Sequence, residues 1–329
     1  MNAHTAEELQ QLQELPLDEK IQMTKRRIQQ WYLAYGGQVY VSFSGGKDST
    51  VLLDIVRQMY PDVPAVFVNT GLEYPEVVQH VKSVENLVIL RPEMDFRSVI
   101  LRYGYPVWSK AHSENVNTIR RGNLSEAQRL RLCEGYFINK NGEKMRSFFK
   151  VPQKLIDAPF KISARCCSVM KKKPLKKYQK DTGRMPILGT MADESIIRRN
   201  AWLKNGCNAF EAVNPKSTPM AFWTQQDVLH YIVKHGLKIP AVYGDIVPVD
   251  ESERIPFDGS EWLDFEELKT TGCTRTGCMF CMYGAQIKGD RRFLMMKETH
   301  PKIYEYCMKP LEDGGLGLDE VLSYFEIPH

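Results

Sequence analysis

Apolar and polar positions alternate along this chain in two rhythms. Gln38-Val39-Tyr40-Val41-Ser42-Phe43 is a β-rich run that ends in Gly45-Gly46, and from Ser49 to Met59 the apolar residues recur at helical spacing. The reading is strand, loop, helix. A second unit repeats it: Ala65-Val66-Phe67-Val68 is a short apolar strand, Asn69-Thr70-Gly71 its turn, and Pro75 to Val84 a helix, after which Leu87 to Leu90 forms a third strand. The rhythm resumes with Pro186-Ile187-Leu188-Gly189 as a strand and Thr224 to His235 as a helix. Strands alternating with helices imply a parallel sheet covered on both faces, with ligands at the carboxyl ends of the strands. The predicted class is α/β, a doubly wound, mostly parallel sheet.

Three stretches depart from that rhythm. Leu9, Leu12, Leu15, Ile21, Met23, Ile28 and Trp31 follow a helical pattern interrupted near Pro16, which predicts an N-terminal helical segment over 1–35. Residues 108–161 are polar, rich in Arg and Lys, and include the turn-like Asn139-Lys140-Asn141-Gly142; they read as an insertion or lid within a nucleotide-binding α/β domain over 36–255. Beyond Ile239 the chain is loop-rich, so 256–329 is expected to form a C-terminal segment with a cysteine group and a final helical part.

Composition narrows the function classes. Apolar residues make up 43% and charged residues 26%, which excludes a disordered chain. The apolar runs fall short of the roughly 20 residues a membrane helix needs, and Met1 to Gln13 is acidic and Gln-rich; the expectation is a cytoplasmic protein with no membrane partner. A net charge of +4 does not announce nucleic-acid binding. The clusters Arg120-Arg121, Arg129, Arg131, Lys171-Lys172-Lys173 and Lys176-Lys177 suit either a nucleic-acid backbone or a solvated basic face. Eight cysteines without an export signal belong in a reducing compartment, where close groupings bind metal more often than they form disulfides.

The loop Ser44-Gly45-Gly46-Lys47-Asp48-Ser49 carries the strongest chemical signal. Backbone amides of a glycine-rich turn that opens a helix lie at the positive end of its dipole and form a phosphate site. Gly45 and Gly46 permit close backbone approach, Lys47 neutralises phosphate charge, Asp48 suits magnesium, and Ser44 and Ser49 add hydroxyls. It is not a Walker A loop, because no glycine sits at the required distance before Gly46-Lys47 and an aspartate follows the lysine.

This hexapeptide resembles the PP-loop of the adenine nucleotide α-hydrolases, which cleave ATP between the α- and β-phosphates. The stretch from Val39 to Gln286 looks most like the phosphoadenosine-phosphosulfate reductase branch of that superfamily. The resemblance implies an adenine nucleotide ligand held by Ser42, the loop 44–49, Asn69, Thr70, Gly71 and Gly189, with Lys47 and Asp48 in catalytic roles. Gly189 to Arg199 is similar to a family signature in which Glu194, Ser195 and Arg198 line the pocket; where the family usually has arginine, this chain has Met191. Pro219, Trp223, Thr224, Asp227 and Val228 also match, but a tryptophan at a helix start reads as packing and stays outside the predicted site.

Cys166 and Cys167 are adjacent, and Cys273, Cys278 and Cys281 form a C-x4-C-x2-C group. Thiolates at that spacing can turn back onto one centre, of zinc or of iron and sulfur. An adjacent pair with a distant C-x2-C, followed by Lys172-Lys173-Pro174-Leu175, resembles the 4Fe-4S ligation of adenosine-phosphosulfate reductases, which implies Cys166, Cys167, Cys278 and Cys281 as ligands. Cys273 to Cys278 is also similar to a segment of the DNA-phosphorothioation pyrophosphatases, in which the extra cysteine can be a ligand. Cys133, Cys207 and Cys307 are isolated and read as inert thiols.

Two features separate the activities within the resemblance. Sulfonucleotide reductases need no pyrophosphate grip, yet here the glycine loop is intact. They attack sulfur with a cysteine in a Glu-Cys-Gly tail, whereas Ser323 to His329 hold no thiol. The expectation is therefore ATP with Mg2+, cleaved to AMP and pyrophosphate to activate an acceptor for sulfur transfer. A sulfonucleotide reductase forming sulfite, and a non-catalytic nucleotide-binding module with a structural metal, are the alternatives. Partners expected are a nucleic-acid or small-molecule acceptor and a sulfur donor or reductant protein, and a homo-oligomer is compatible with the sequence.

Overall fold

A computed structural model of the protein describes residues 4–249 and 267–329. The expected boundary between 255 and 256 lies outside the described residues. The chain forms two compact units, the first of Met1–Asn69, Glu73–Leu90 and Leu175–Gly277, the second of Thr70–Leu72, Arg91–Pro174 and Cys278–His329.

The first unit holds a six-stranded sheet in the order Leu87–Leu90, Ala65–Val68, Val39–Ser42, Met185–Ile187, Lys216–Ser217, Asn208–Ala209. All neighbours pair in parallel except the last, which is antiparallel. The chain runs outward from Val39–Ser42 on one side and returns to its other side at Met185–Ile187, a doubly wound α/β sheet as the periodicity predicts. Its switch point lies at the carboxyl end of Val39–Ser42, where such sheets bind ligands. Val39, Val41, Ala65 and Ile187 are fully buried, consistent with a sheet covered on both faces.

Two helices occupy the range 1–35. Thr5 and Glu8 form a capping box that starts the helix Ala6–Gln13, and the second helix, Leu17–Ala34, begins after Pro16. Their apolar face enters the core of the sheet: Leu9, Ile21, Ile28 and Trp31 belong to the same buried cluster as Val41, Leu52 and Trp223. Buried Lys20 fixes the docking, donating to the Gln13 carbonyl at 2.6 Å and to both carboxylate oxygens of Asp227 at 2.8 and 2.9 Å. Asp227 also caps its own helix through Thr224, so one carboxylate ties two elements.

Residues 108–161 lie within the stretch Arg91–Pro174, which falls between two segments of the first unit in chain order and belongs to the second unit with Cys278–His329. Val107–Trp108 pairs in parallel with Met282–Tyr283, and a short hairpin pairs Tyr136–Ile138 with Lys144–Arg146. Arg120 is a structural residue here: its guanidinium donates to the carbonyls of Leu155, Ile156, Ala158 and Phe160 at 2.7 to 3.2 Å. Among the described residues no helix is long and apolar enough to cross a membrane.

Candidate functional site

The loop that leaves Val39–Ser42 enters the helix Lys47–Met59, whose N-cap is Gly46. Gly45 has φ +74°, and a side chain there would meet Val77 and Val81 at 2.8 and 2.5 Å. A Cβ on Gly46 would lie 2.7 Å from the Thr276 hydroxyl and 3.0 Å from that of Tyr243. Both glycines are therefore required, the first by conformation and the second by space. The turn is cross-braced: the Ser44 amide donates to Ser49 Oγ at 3.2 Å, and Ser49 Oγ donates to the Gly46 carbonyl at 2.9 Å. Gly189, just past the Met185–Ile187 strand, allows equally close approach, since a Cβ there would lie 3.0 Å from the Asp48 carbonyl.

Lys47 is 2% exposed, and its ammonium donates to Asp48 Oδ1 at 3.0 Å and to Gln225 Oε1 at 2.6 Å. Its amide donates to the Tyr243 hydroxyl at 3.1 Å, which in turn shares a hydrogen with Thr276 Oγ1 at 2.8 Å. Burial raises the Tyr243 pKa, so this hydroxyl stays protonated at neutral pH. A cavity of about 390 Å³ opens beside the loop, edged by Lys47, Gln225, Lys269, Arg275, Asp193 and Glu194. A second cavity of the same unit, about 540 Å³, lies against the N-terminal helices and Trp202 and touches none of the loop residues.

Glu194 anchors two guanidiniums. Its buried carboxylate pairs with Arg198 and, at 2.5 Å, with Arg275, and it accepts the Met191 amide at 2.8 Å. Burial, with the neighbouring Arg275 charge, lowers the Arg198 pKa. Ser195 caps the helix Ile196–Asn205 by accepting the Arg198 amide at 3.3 Å. Met191 is fully buried. Asn69 lies in the first unit, its amide bonded to the Leu90 carbonyl at 2.9 Å, whereas Thr70 and Gly71 fall in the second. Trp223 is buried and donates to Thr24 Oγ1 at 2.9 Å, a packing residue as its position implied.

Gln225, Tyr243, Lys269, Arg275 and Thr276 border the loop or its cavity, and sequence reasoning did not single them out. Arg275 and Thr276 sit inside the Cys273 to Cys278 stretch, where the cysteine spacing drew the reading toward metal. Only their polar character amid glycines could have marked them.

In the second unit, Cys166, Cys167, Cys278 and Cys281 edge one small cavity together with Phe96, Met170 and Lys171. The fifth cysteine is elsewhere: Cys273 belongs to the first unit, where its thiol faces the Tyr74 hydroxyl at 3.9 Å and burial raises its pKa. Cys166 donates to Cys167 at 3.8 Å. That bond raises the Cys166 pKa and lowers that of Cys167, which Lys171, Lys110 and Lys172 lower further. Burial raises Cys281. The Tyr283 hydroxyl is buried beside these thiols without a conventional hydrogen bond, and burial followed by the nearby Cys166 raises its pKa, so it remains a donor facing sulfur. Among the described residues, no three His, Cys, Asp or Glu side chains converge as a single ion requires. Four thiols around a cavity, with lysines and a hydroxyl donor beside them, suit a larger sulfur-ligated centre carrying negative charge.

A parallel α/β sheet with a glycine-rich anion loop at its switch point, and a buried lysine in that loop, defines a nucleotide-binding protein of the PP-loop type. The phosphoadenosine phosphosulfate reductase domain matches over residues 38–121 and 107–283, and the chain belongs to that family. It is 26% identical to an adenosine 5'-phosphosulfate reductase of Staphylococcus haemolyticus over 67% of this chain and 72% of that protein. It is 23% identical to an uncharacterized protein of Methanocaldococcus jannaschii over 87% of this chain, which spans about half (51%) of that relative's length. Among solved structures, the phosphoadenylyl-sulfate reductase of Candida auris aligns with a TM-score of 0.35 at 14% identity, covering 73% of this chain and 91% of that one.

Proposed function

We propose that the protein binds ATP with Mg2+ at the Ser44–Ser49 loop and splits it between the α- and β-phosphates, activating an acceptor for sulfur transfer. The supporting observation is the completeness of the pyrophosphate grip: a two-glycine turn at a helix start, with buried Lys47 held between Asp48 and Gln225. An acceptor oxygen attacks the α-phosphorus, the bond to the bridging oxygen breaks, and pyrophosphate leaves with the negative charge. Lys47 and the loop amides stabilise that charge as it develops. Asp48, at the mouth of the loop, is the residue that would hold magnesium, which adds Lewis-acid charge neutralisation on the phosphates when bound. A sulfur nucleophile then displaces AMP from the acceptor.

The four thiols of the second unit are proposed ligands of a 4Fe-4S cluster, which would supply one-electron or sulfur chemistry when bound. The reductase reading has its own support in the family and in the Staphylococcus relative. Cys307 does not supply the attacking thiol for it: this side chain is fully buried, and burial pushes its pKa up to about 12.

Anaerobic purification with iron and sulfide analysis, followed by pyrophosphate release from ATP in wild type and Asp48→Ala, tests both parts. Expected are iron near four per chain, by cluster stoichiometry, and Asp48-dependent pyrophosphate, falling about 100-fold in the variant. Sulfite formed from a sulfonucleotide and a reductant, without pyrophosphate from ATP, would replace the ATP reading with the reductase one. Zinc in place of iron would remove the cluster.

A further inference from the structure

The nucleotide loop lies in the first unit, and Cys166, Cys167, Cys278 and Cys281 edge one cavity in the second. The hairpin Tyr136–Arg146 and the stretch after it serve neither. Within residues 120–154 the sequence holds nine Arg or Lys against three Glu, a net +6, whereas the whole chain is +4; the remaining residues are therefore slightly acidic at −2. This segment alone accounts for the basic balance of the protein.

Five of its apolar residues are on the outside. Phe148 is 83% exposed, and Phe137, Ile138, Met145 and Phe149 are exposed as well. Cross-strand pairing sets Phe137 beside Met145 on one face of the hairpin, and Tyr136 beside Arg146 and Ile138 beside Lys144 on the other. A two-stranded hairpin with apolar residues open on both faces gains little stability by itself. Yet this one is built firmly: the Asn139 side chain accepts the amides of Asn141 and Glu143 at 2.9 Å each, and the base closes with Ser147 N to the Gly135 carbonyl at 2.8 Å.

Cations and rings are interleaved. The Lys144 ammonium sits 3.7 Å from the Tyr136 ring centroid, and the Arg131 guanidinium 4.4 Å from that of Phe149. The Phe148 ring stays open to solvent, with Lys150 two residues on and Arg146 two residues before. Open aromatic faces spaced among cations are what unpaired bases and their phosphates require, because every base offers a π-face and every phosphate a charge. A duplex, with its bases stacked inside, has no use for an exposed phenylalanine of this kind. A bilayer is disfavoured by the tip, since Asn139, Lys140, Asn141, Gly142 and Glu143 are polar and leave no apolar end to insert.

We propose that this hairpin surface binds single-stranded nucleic acid, with a base stacking on Phe148 and phosphates lying along Lys144, Arg146 and Lys150. The surface goes beyond the nucleotide-cleaving reading and stands or falls without it.

The test is fluorescence-anisotropy titration of the full chain with end-labelled mixed-sequence single-stranded RNA and DNA of about 20 nucleotides, a length chosen to exceed one stacking platform's site size, and with the matching duplex, at two salt concentrations. Phe148→Ala is expected to weaken single-strand binding by about tenfold. Lys144→Gln with Arg146→Gln should reduce the log–log salt slope by about 1.4, two charges at roughly 0.7 each. All substituted side chains are exposed, so unchanged thermal unfolding and unchanged ATP binding verify that each variant is folded. Phe148→Trp should restore affinity, which a loss of fold or of charge would not allow. Equal binding of duplex and single strand with no effect of Phe148→Ala would overturn the proposal. So would the absence of oligonucleotide binding, or binding confined to anionic vesicles or to polyglutamate.

Discussion

At the scale of single residues, the loop glycines and the guanidiniums decide what the nucleotide site can hold. Gly46 has the Thr276 and Tyr243 hydroxyls against it, so Gly46→Ala forces them apart and should weaken ATP binding at least tenfold, by about 1.4 kcal/mol, with little change in Tm because the contacts are confined to the loop. Isothermal titration beside thermal unfolding separates the two effects. Met191, where the resembling family carries arginine, is buried in the core, so that position does not face the cavity. The exposed guanidinium at the cavity edge comes instead from Arg275, pinned by buried Glu194. Arg275→Gln keeps a hydrogen-bonding group but loses the charge, and is expected to raise the KM for ATP about tenfold, as loss of a charge-assisted contact does, with kcat nearly unchanged. Steady-state pyrophosphate release gives both constants. Lys47, Asp48 and the glycines were legible from sequence because the motif is contiguous. Arg275, Tyr243 and Gln225 were not, because folding brings them to the loop from positions some 180 to 230 residues away in chain order.

At the scale of elements, periodicity was a good guide where the pattern was long and a poor one where it was short. The strands Ala65–Val68 and Leu87–Leu90 begin and end where the apolar runs do. The first helix of the sheet starts at Lys47, two residues before the expected Ser49, since Gly46 takes the N-cap and draws Lys47 and Asp48 into the first turn. That shift puts Asp48 in the first turn, at the positive end of the helix. Two-residue strands such as Asn208–Ala209 and Lys216–Ser217 show no period and could not be read. The helix Pro75–Lys82 supplies a pH response. Its His80 is half-buried beside Phe43, with a ring nitrogen 3.3 Å from Thr50 Oγ1, and burial lowers its pKa below the ordinary 6.5. The unfolded chain therefore binds the proton first as pH falls, and the stability this neutral ring confers is present above about pH 6.5 and lost as pH drops through the folded value. His80→Gln should flatten the fall in urea-unfolding free energy between about pH 7 and pH 5, and an unchanged slope would assign it to other groups.

At the scale of the whole molecule, the division into two units sorts the cysteines in a way that spacing could not. Cys273, Cys278 and Cys281 look like one group in the sequence, yet the unit boundary falls between Gly277 and Cys278. Cys278 and Cys281 stay with Cys166 and Cys167 around one cavity, while Cys273 faces Tyr74 in the first unit. The N-terminal helices show the same limit in reverse, since their apolar stripe predicted helix but not the sheet core that buries it. If the four thiols of the second unit form the ligand set, Cys273→Ser should purify with the same iron and sulfide content and the same visible absorption as wild type. Cys278→Ser should lose most of the iron, because a buried cluster deprived of one thiolate is exposed to hydrolysis and oxidation. The opposite pattern, iron lost with Cys273→Ser and retained with Cys278→Ser, would put Cys273 among the ligands in place of Cys278 and overturn this ligand set. Metal analysis under anaerobic conditions reads the difference directly, and because it requires no turnover its result is independent of which nucleotide the first unit binds.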